Sequence, residues 1–174
     1  MRTLGAVIAG GASRRFGSDK AAADLDGKAL LERVVAALTP QVEAIALVGH
    51  DWPGCETLAD RPPGVGPLGG LAAALAFAAE RGFGGVLAVP VDVHPLPCDL
   101  VPLLAGEGPA VFADQHMIGW WPSALADELD RFIAGGGRAV HDWIDAATAR
   151  RIDDPPGLVN VNTPDDLARL ALGH

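Results

Sequence analysis

An α/β fold with a mostly parallel sheet, covered by helices on both faces, is predicted by two observations. Short apolar runs at Leu4–Ile8, Ile45–Val48 and Val86–Val91 alternate with segments whose apolar residues recur at helical spacing. The run at Val86–Val91 is apolar at every position, as suits a central parallel strand buried on both faces. A chain of 174 residues is long enough to bury the core that such a fold needs.

The elements follow in order. Leu4–Ile8 reads as a buried strand ending at Gly10 and Gly11. Lys28–Leu38 places Leu30, Leu31, Val34, Val35 and Leu38 at helical spacing, and Pro40 stops the helix. Ile45–Val48 is the second strand, followed by a Pro/Gly-rich loop from Trp52 to Gly66. Leu68–Ala79 is an Ala-rich helix ended by Gly82, and Val86–Val91 is the third strand. A short helix at Asp99–Leu104 and a strand at Ala110–Phe112 come next. Ala124–Ile133 gathers Leu125, Leu129, Phe132 and Ile133 on one helical face, and Ala139–Ala147 is a further helix. At Thr163–Leu172 a helix opens with Thr163 as N-cap and Pro164 at the first position. Asp166 suits the positive end of that helix dipole. With no repeat, linker or composition break, residues 1–174 read as one domain.

Composition narrows the function. Aromatic residues are 5% and Tyr is absent, so the core must rest on Ala, Leu and Val. A net charge of −9 repels the phosphates of DNA and RNA but leaves room for a local cationic site on a small phosphorylated ligand. Cys55 and Cys98 lie outside any metal-ligand spacing and read as reduced intracellular thiols. Leu68–Ala79 is about half the length of a membrane span. The apolar stretch after Arg2 is short for a secretion signal, and the Arg14–Arg15 pair follows it instead of preceding it. A cytoplasmic protein, off the membrane, is the expectation.

Ligands of open parallel sheets bind outside the C-terminal ends of the strands. Two such ends carry unusual chemistry. After Ile8 comes Ala9-Gly10-Gly11-Ala12-Ser13-Arg14-Arg15-Phe16-Gly17-Ser18-Asp19-Lys20. Glycines let the backbone turn sharply, so exposed amides can hold phosphate oxygens, and Arg14, Arg15 and Lys20 add positive charge. No Gly-Lys-Ser/Thr closes the stretch, and Gly-x-Gly-x-x-Gly is absent, so neither a P-loop nor a dinucleotide fold is indicated. After Val91 comes Asp92, a carboxylate projecting into the crevice, which suits Mg²⁺ held by one or two carboxylates plus substrate phosphates.

Taken together, these motifs resemble the MobA-like nucleotidyltransferases. The run Ile8 to Lys20, then Asp26-Gly27-Lys28, is similar to that family's LAGGxSxRMGxDK and GKPL, with Phe16 for Met and Ala29 for Pro. Leu58-Ala59-Asp60-Arg61 and Gly66-Pro67-Leu68-Gly69-Gly70-Leu71 resemble its D-x-x-x-G-x-GPLAGL segment. Val89 to Asp92 with Leu96 to Leu100 resembles PCDMPFLPPDL, with His94 and Pro95 where the family has Pro and Phe. Val159 to Leu167 resembles NINTPEDL. The matched segments run in order over most of the chain.

The resemblance implies a three-layer α/β/α Rossmann-like fold. It implies that the backbone of Ile8, Ala9 and Gly10, with Gly11 beside it, lies against GTP, and that Lys20 contacts the phosphates. Asp92 inherits the metal, Mg²⁺, and Asp60 a contact to the guanine ring, where a carboxylate can accept from N1–H and the exocyclic amine. Asn160 and Asn162 are implied near the active site, orienting or touching the second substrate. Trp120 and Trp121 are indoles suited either to stacking on a pterin or to the core. The implied reaction takes GTP and molybdenum–molybdopterin. The terminal phosphate of the pterin attacks the α-phosphorus, and GMP is transferred as pyrophosphate leaves. That nucleophile is already anionic near neutral pH, so the chemistry needs alignment and charge neutralisation from Lys20, Arg14 or Arg15 and Mg²⁺ on Asp92, not a side-chain base. Passing contacts with molybdoenzymes or cofactor carriers are the implied partnerships. Two alternatives stand: cytidylyl transfer to the same acceptor, since Val48-Gly49-His50 lacks an Asn the family often uses in reading the base, and a non-catalytic nucleotide-binding module, against which Lys20 and Asp92 argue.

Overall fold

The computed structural model describes residues 1–8, 24–25, 28–161, 165–166 and 168–169. Eleven strands are present among them: β1 (Thr3–Ile8), β2 (Asp24–Leu25), β3 (Lys28–Ala29), β4 (Ala44–Val48), β5 (Glu56–Leu58), β6 (Gly85–Pro90), β7 (Val93–His94), β8 (Ala110–Phe112), β9 (Gly119–Pro122), β10 (Arg150–Ile152) and β11 (Val159–Asn160). The helices are α1 (Leu30–Leu38), α2 (Pro67–Glu80), α3 (Leu100–Leu104), α4 (Ala126–Ala134) and α5 (Val140–Ala146).

The described strands build a seven-stranded sheet in the order β10-β8-β9-β6-β1-β4-β5. Strands β6, β1, β4 and β5 run parallel to one another, as do β10 and β8, and β9 between the two groups is antiparallel to both β6 and β8. The expected α/β/α architecture with a mostly parallel sheet is therefore present. Its layers follow from strand alternation. Along β1, Leu4 and Ala6 join the core under α2, α4 and α5, while Val7 joins the core under α1 and α3. Strand β6 repeats this with Val86 and Ala88 on the first face and Leu87 and Val89 on the second. Full burial of each Leu or Val stabilises by roughly 1.5–3 kcal/mol, so these two layers hold the sheet between them.

Three expectations shift. The helix expected from Lys28 begins at Leu30, because Lys28–Ala29 pairs with Asp24–Leu25 as a short ladder. The helix expected from Ala124 starts as a 3₁₀ turn, Ser123–Leu125, and turns α-helical at Ala126. Strand β9 was absent from the sequence reading. Its two indoles point to opposite faces: Trp121 packs under α2, with Trp143 stacked at 5.9 Å, and Trp120 lies in the other core, on Gly85, where a Cβ would come within 2.4 Å of the ring. Of the helix expected at 163–172, residues 165, 166, 168 and 169 are helical, while Thr163 and Pro164 lie outside the described residues. Among the described residues no helix is long and apolar enough to cross a membrane.

Candidate active site

Four parallel strands end level. Leu58 is in register with Val48, Val48 with Ile8, and Ile8 with Pro90. The chain lays down β4 and β5 on one side of β1, then crosses by α2 to β6 on the other side. The order reverses at the β1–β6 boundary, and there the crevice of an open α/β sheet forms. Ile8 ends β1 at that boundary. The loop residues Ala9, Gly10, Gly11, Arg14, Arg15 and Lys20 lie outside the described residues.

On the β5 side, Asp60 follows the strand end by two residues and is half-buried. Its loop is held from several directions. The Gly49 amide donates to the Leu58 carbonyl at 3.0 Å, and the Arg61 amide to the Gly69 carbonyl at 3.0 Å. The Arg61 guanidinium reaches Asp130 on α4 at 3.2 Å. Two glycines set how close α2 comes. A Cβ on Gly69 would lie 2.7 Å from the Pro62 carbonyl oxygen and 3.4 Å from Asp60 Cβ, and one on Gly70 would lie 3.2–3.3 Å from Val48 and Ile8. The Gly pair in Gly66-Pro67-Leu68-Gly69-Gly70 thus brings the N-terminal end of a 14-residue helix, with its partial positive charge, against the ends of β1 and β4.

On the β6 side, Asp92 follows Pro90 by two residues and is half-buried. A ladder joins two distant segments here: β11 pairs antiparallel with β7, setting Asn160 opposite Val93 and Val159 opposite His94. The Val161 amide donates to the Asp92 carbonyl at 2.7 Å. Asn160, exposed, is thereby brought beside Asp92, while Asn162 lies outside the described residues. The buried His94 ring, in place of the family's Pro, directs Nε2 at the Val91 carbonyl at 2.8 Å, so that nitrogen donates a proton and is not a metal donor. Among the described residues no group of three or more His, Cys, Asp or Glu could hold a metal. Asp92 offers a hard oxygen donor, which fits a divalent cation that completes its shell with water and phosphate.

Residues 5–150 match the family model described as the MobA-like NTP transferase domain. The chain belongs to this family. The molybdenum cofactor guanylyltransferase of Rhodobacter capsulatus is 37% identical, covering 97% of this chain and 95% of the relative. The protein of the same name from Acidiphilium cryptum is 37% identical over 97% of this chain and 93% of the relative. Among solved structures, molybdopterin-guanine dinucleotide biosynthesis protein A from Archaeoglobus fulgidus superposes with a TM-score of 0.76 at 25% identity, covering 97% of each chain.

Within this MobA-like fold, the sequence reading missed a second wall of the edge. The turn from β8 to β9 emerges beside β6 and carries Gln115, His116 and Met117. The Asp154 carboxylate fixes it by accepting from the Asp114 and Gln115 amides at 2.9 and 3.0 Å. His116 packs its ring on His141 of α5, with centroids 4.1 Å apart. Burial, and then the neighbouring His141, hold the His116 imidazole below its ordinary pKa. Of the two tryptophans, only Trp121 borders open space here, a narrow crevice between this turn and α2. Trp120 is sealed in the core and offers no stacking face. No periodic signal marks a histidine on a five-residue turn, so only the pairing of β8 with β9 could have pointed to it.

Proposed function

We propose that this chain transfers GMP from GTP to the terminal phosphate of molybdenum–molybdopterin, releasing pyrophosphate and forming the guanine dinucleotide cofactor. The supporting observation is the level edge at the β1–β6 switch point, with Asp60 two residues past β5 and Asp92 two residues past β6. Relatives that share the family and 37% of the sequence over nearly the whole chain carry the guanylyltransferase name.

On this reading Asp60 accepts from the guanine N1–H and amine at the β5 end. The backbone of Ile8, Ala9, Gly10 and Gly11 lies along the nucleotide. Lys20 and Arg14 neutralise phosphate charge, and they act before as well as during the reaction. Asp92 would hold Mg²⁺, which when bound would offset the negative charge of the departing pyrophosphate. Asn160 and Asn162 orient the acceptor beside Asp92. The phosphate nucleophile is anionic and carries no proton to be removed, so the protein's contribution is alignment and preorganised charge. The chain works as one domain over residues 1–174, in the cytoplasm, and hands its product to molybdoenzymes or cofactor carriers through transient contacts.

Cytidylyl transfer is the rival, favoured by Val48-Gly49-His50 at the end of β4, where no Asn is available to the base. One experiment separates them: product analysis with molybdopterin and each of the four nucleoside triphosphates, with pyrophosphate followed in parallel. A guanine dinucleotide made from GTP alone is the expected result. A cytosine product overturns the guanylyl assignment, and no product with any nucleotide favours a binding module.

A further inference from the structure

In the proposed reaction the nucleotide takes one end of the sheet edge. Asp60, the segment after Ile8 and Asp92 follow β5, β1 and β6, three inter-strand steps that cover about 14 Å. The acceptor needs the other end. Beyond β6 lies β9, and because it is antiparallel, its start and the 114–118 turn emerge at this same edge. Had β9 been parallel, a crossover would stand there and the turn would lie at the far edge.

The first turn of α2 separates the two ends. Gly69 faces the Asp60–Pro62 loop, whereas Leu68 faces a crevice lined with Ile8, Pro67, His116, Met117 and Trp121. The enclosed part of the crevice measures about 20 Å³, enough for one water. A flat ring is too large for that space and could only lie outside it, against lining residues such as His116 and Met117. Both side chains are half-buried, so each is partly accessible and partly held. The turn is built firmly: Asp154 takes two of its amides, the Ile118 amide donates to the Gln115 carbonyl at 2.8 Å, and His141 backs the imidazole. The titratable groups that act on His116 are His141 and Asp154, and the backbone of Asp114 hydrogen-bonds its ring. A neutral imidazole presents one donor and one acceptor nitrogen, and a thioether is a soft, polarizable surface for a ring face.

We propose that the 114–118 turn is the acceptor-side recognition element, where the planar heteroaromatic ring of the second substrate lies across the crevice mouth with its polar edge on His116 and its face on Met117. This assignment rests on the proposed reaction for the identity of the acceptor. It gives the ring a place of its own, apart from Asn160 on the β11–β7 ladder.

The test is a direct titration of the intact protein with molybdopterin, read by tryptophan fluorescence, alongside KM for each substrate and the melting shift caused by GTP. In His116→Phe and Met117→Ala, acceptor affinity is expected to fall about tenfold or more, the scale of one lost hydrogen bond or ring contact. The GTP shift and the KM for GTP stay at wild-type values, and His116→Gln restores part of the loss. Asp154→Asn, which keeps one of the two acceptor oxygens that hold the turn and removes a charge near His116, lowers acceptor affinity in the same direction by less. Wild-type acceptor affinity in both His116→Phe and Met117→Ala overturns the proposal, as does a parallel loss of GTP binding, which would mean general damage to the fold. The titration needs no turnover, so it decides the ring site even if product analysis shows that GTP is not the donor. A wild-type protein that fails to bind molybdopterin overturns it outright.

Discussion

Replacing Gly69 with Ala asks whether close packing of α2 on the Asp60 loop positions Asp60 for its proposed contact with the base. The added Cβ would sit 2.7 Å from the Pro62 carbonyl oxygen and 3.0 Å from Val65 Cγ2. The oxygen belongs to the backbone and cannot rotate away, so the loop must move outward by a few tenths of an ångström, carrying Asp60 with it. Overpacking of this kind costs about 1–3 kcal/mol. Better helix propensity of Ala over Gly returns about 0.5–1 kcal/mol. The net loss is therefore about 0–2.5 kcal/mol, and at about 2–4 °C per kcal/mol for a chain of this size the melting temperature falls by up to several degrees. GTP affinity falls further, by about 10–100-fold, because the displaced carboxylate loses hydrogen bonds of about 1.5–3 kcal/mol. Gly70→Ala is the control: its new Cβ meets only the side-chain ends of Val48 and Ile8 at 3.2–3.3 Å, which can yield, so stability and GTP affinity change less. Urea denaturation and calorimetric titration with GTP, ATP and CTP measure both quantities. A Gly69→Ala protein with wild-type stability and an undiminished preference for GTP would refute the claim that this packing places Asp60.

Removing the carboxylate directly, Asp60→Ala weakens GTP by about 1.5–3 kcal/mol while ATP and CTP bind nearly as before, and equal losses for all three show that Asp60 is only structural. In Asp92→Asn, turnover measured by pyrophosphate release drops far more than nucleotide affinity measured by titration, since the metal proposed on Asp92 would act chiefly on charge that develops in the reaction. A folded variant turning over at the wild-type rate removes Asp92 from the metal site. Lowering the pH tests His116. Its folded pKa is depressed, so the unfolded chain takes up the proton first. Stability is full above the ordinary value near 6.5 and declines as the pH falls from there through the depressed value. Urea midpoints across that window show the decline in the wild type and less of it in His116→Gln, and identical profiles refute the assignment to His116.

The parallel half of the sheet was plain in the sequence because β1 and β6 are buried on both faces, which forces an unbroken apolar run. The α2 helix was equally plain, being long and apolar. Strand β5 was hidden: Glu56 and Thr57 are exposed at the sheet margin, so nothing in the pattern distinguishes them from the surrounding loop. Strand β10 hides for the same reason behind Arg150 and Arg151. The indoles of β9 could be read two ways because two consecutive aromatics fit both a pocket wall and a strand passing between two cores. Only the pairing with β6 and β8 decides that. Asp60 and Asp92 are singled out by their motifs, and both lie two residues past aligned strand ends; their roles toward base and metal rest on the proposed function. The resemblance implies Asn160 near the active site, but the ladder that brings it beside Asp92 is not legible, since two paired residues in segments so far apart leave no local trace.

The single reversed strand has a consequence for how such proteins diverge. A parallel neighbour is reached only through a crossover of a dozen residues or more, usually a helix that must pack on the sheet. A hairpin can be relengthened or rewritten at its tip with no helix to repack. Strand β9 places one such tip at the working edge, next to four strands whose ends are tied together by register. Insertions between Ala113 and Ile118 therefore leave the register of β1, β4, β5 and β6 untouched while reshaping what flanks their ends. A graft of this turn between relatives is the smallest exchange by which one acceptor could be traded for another.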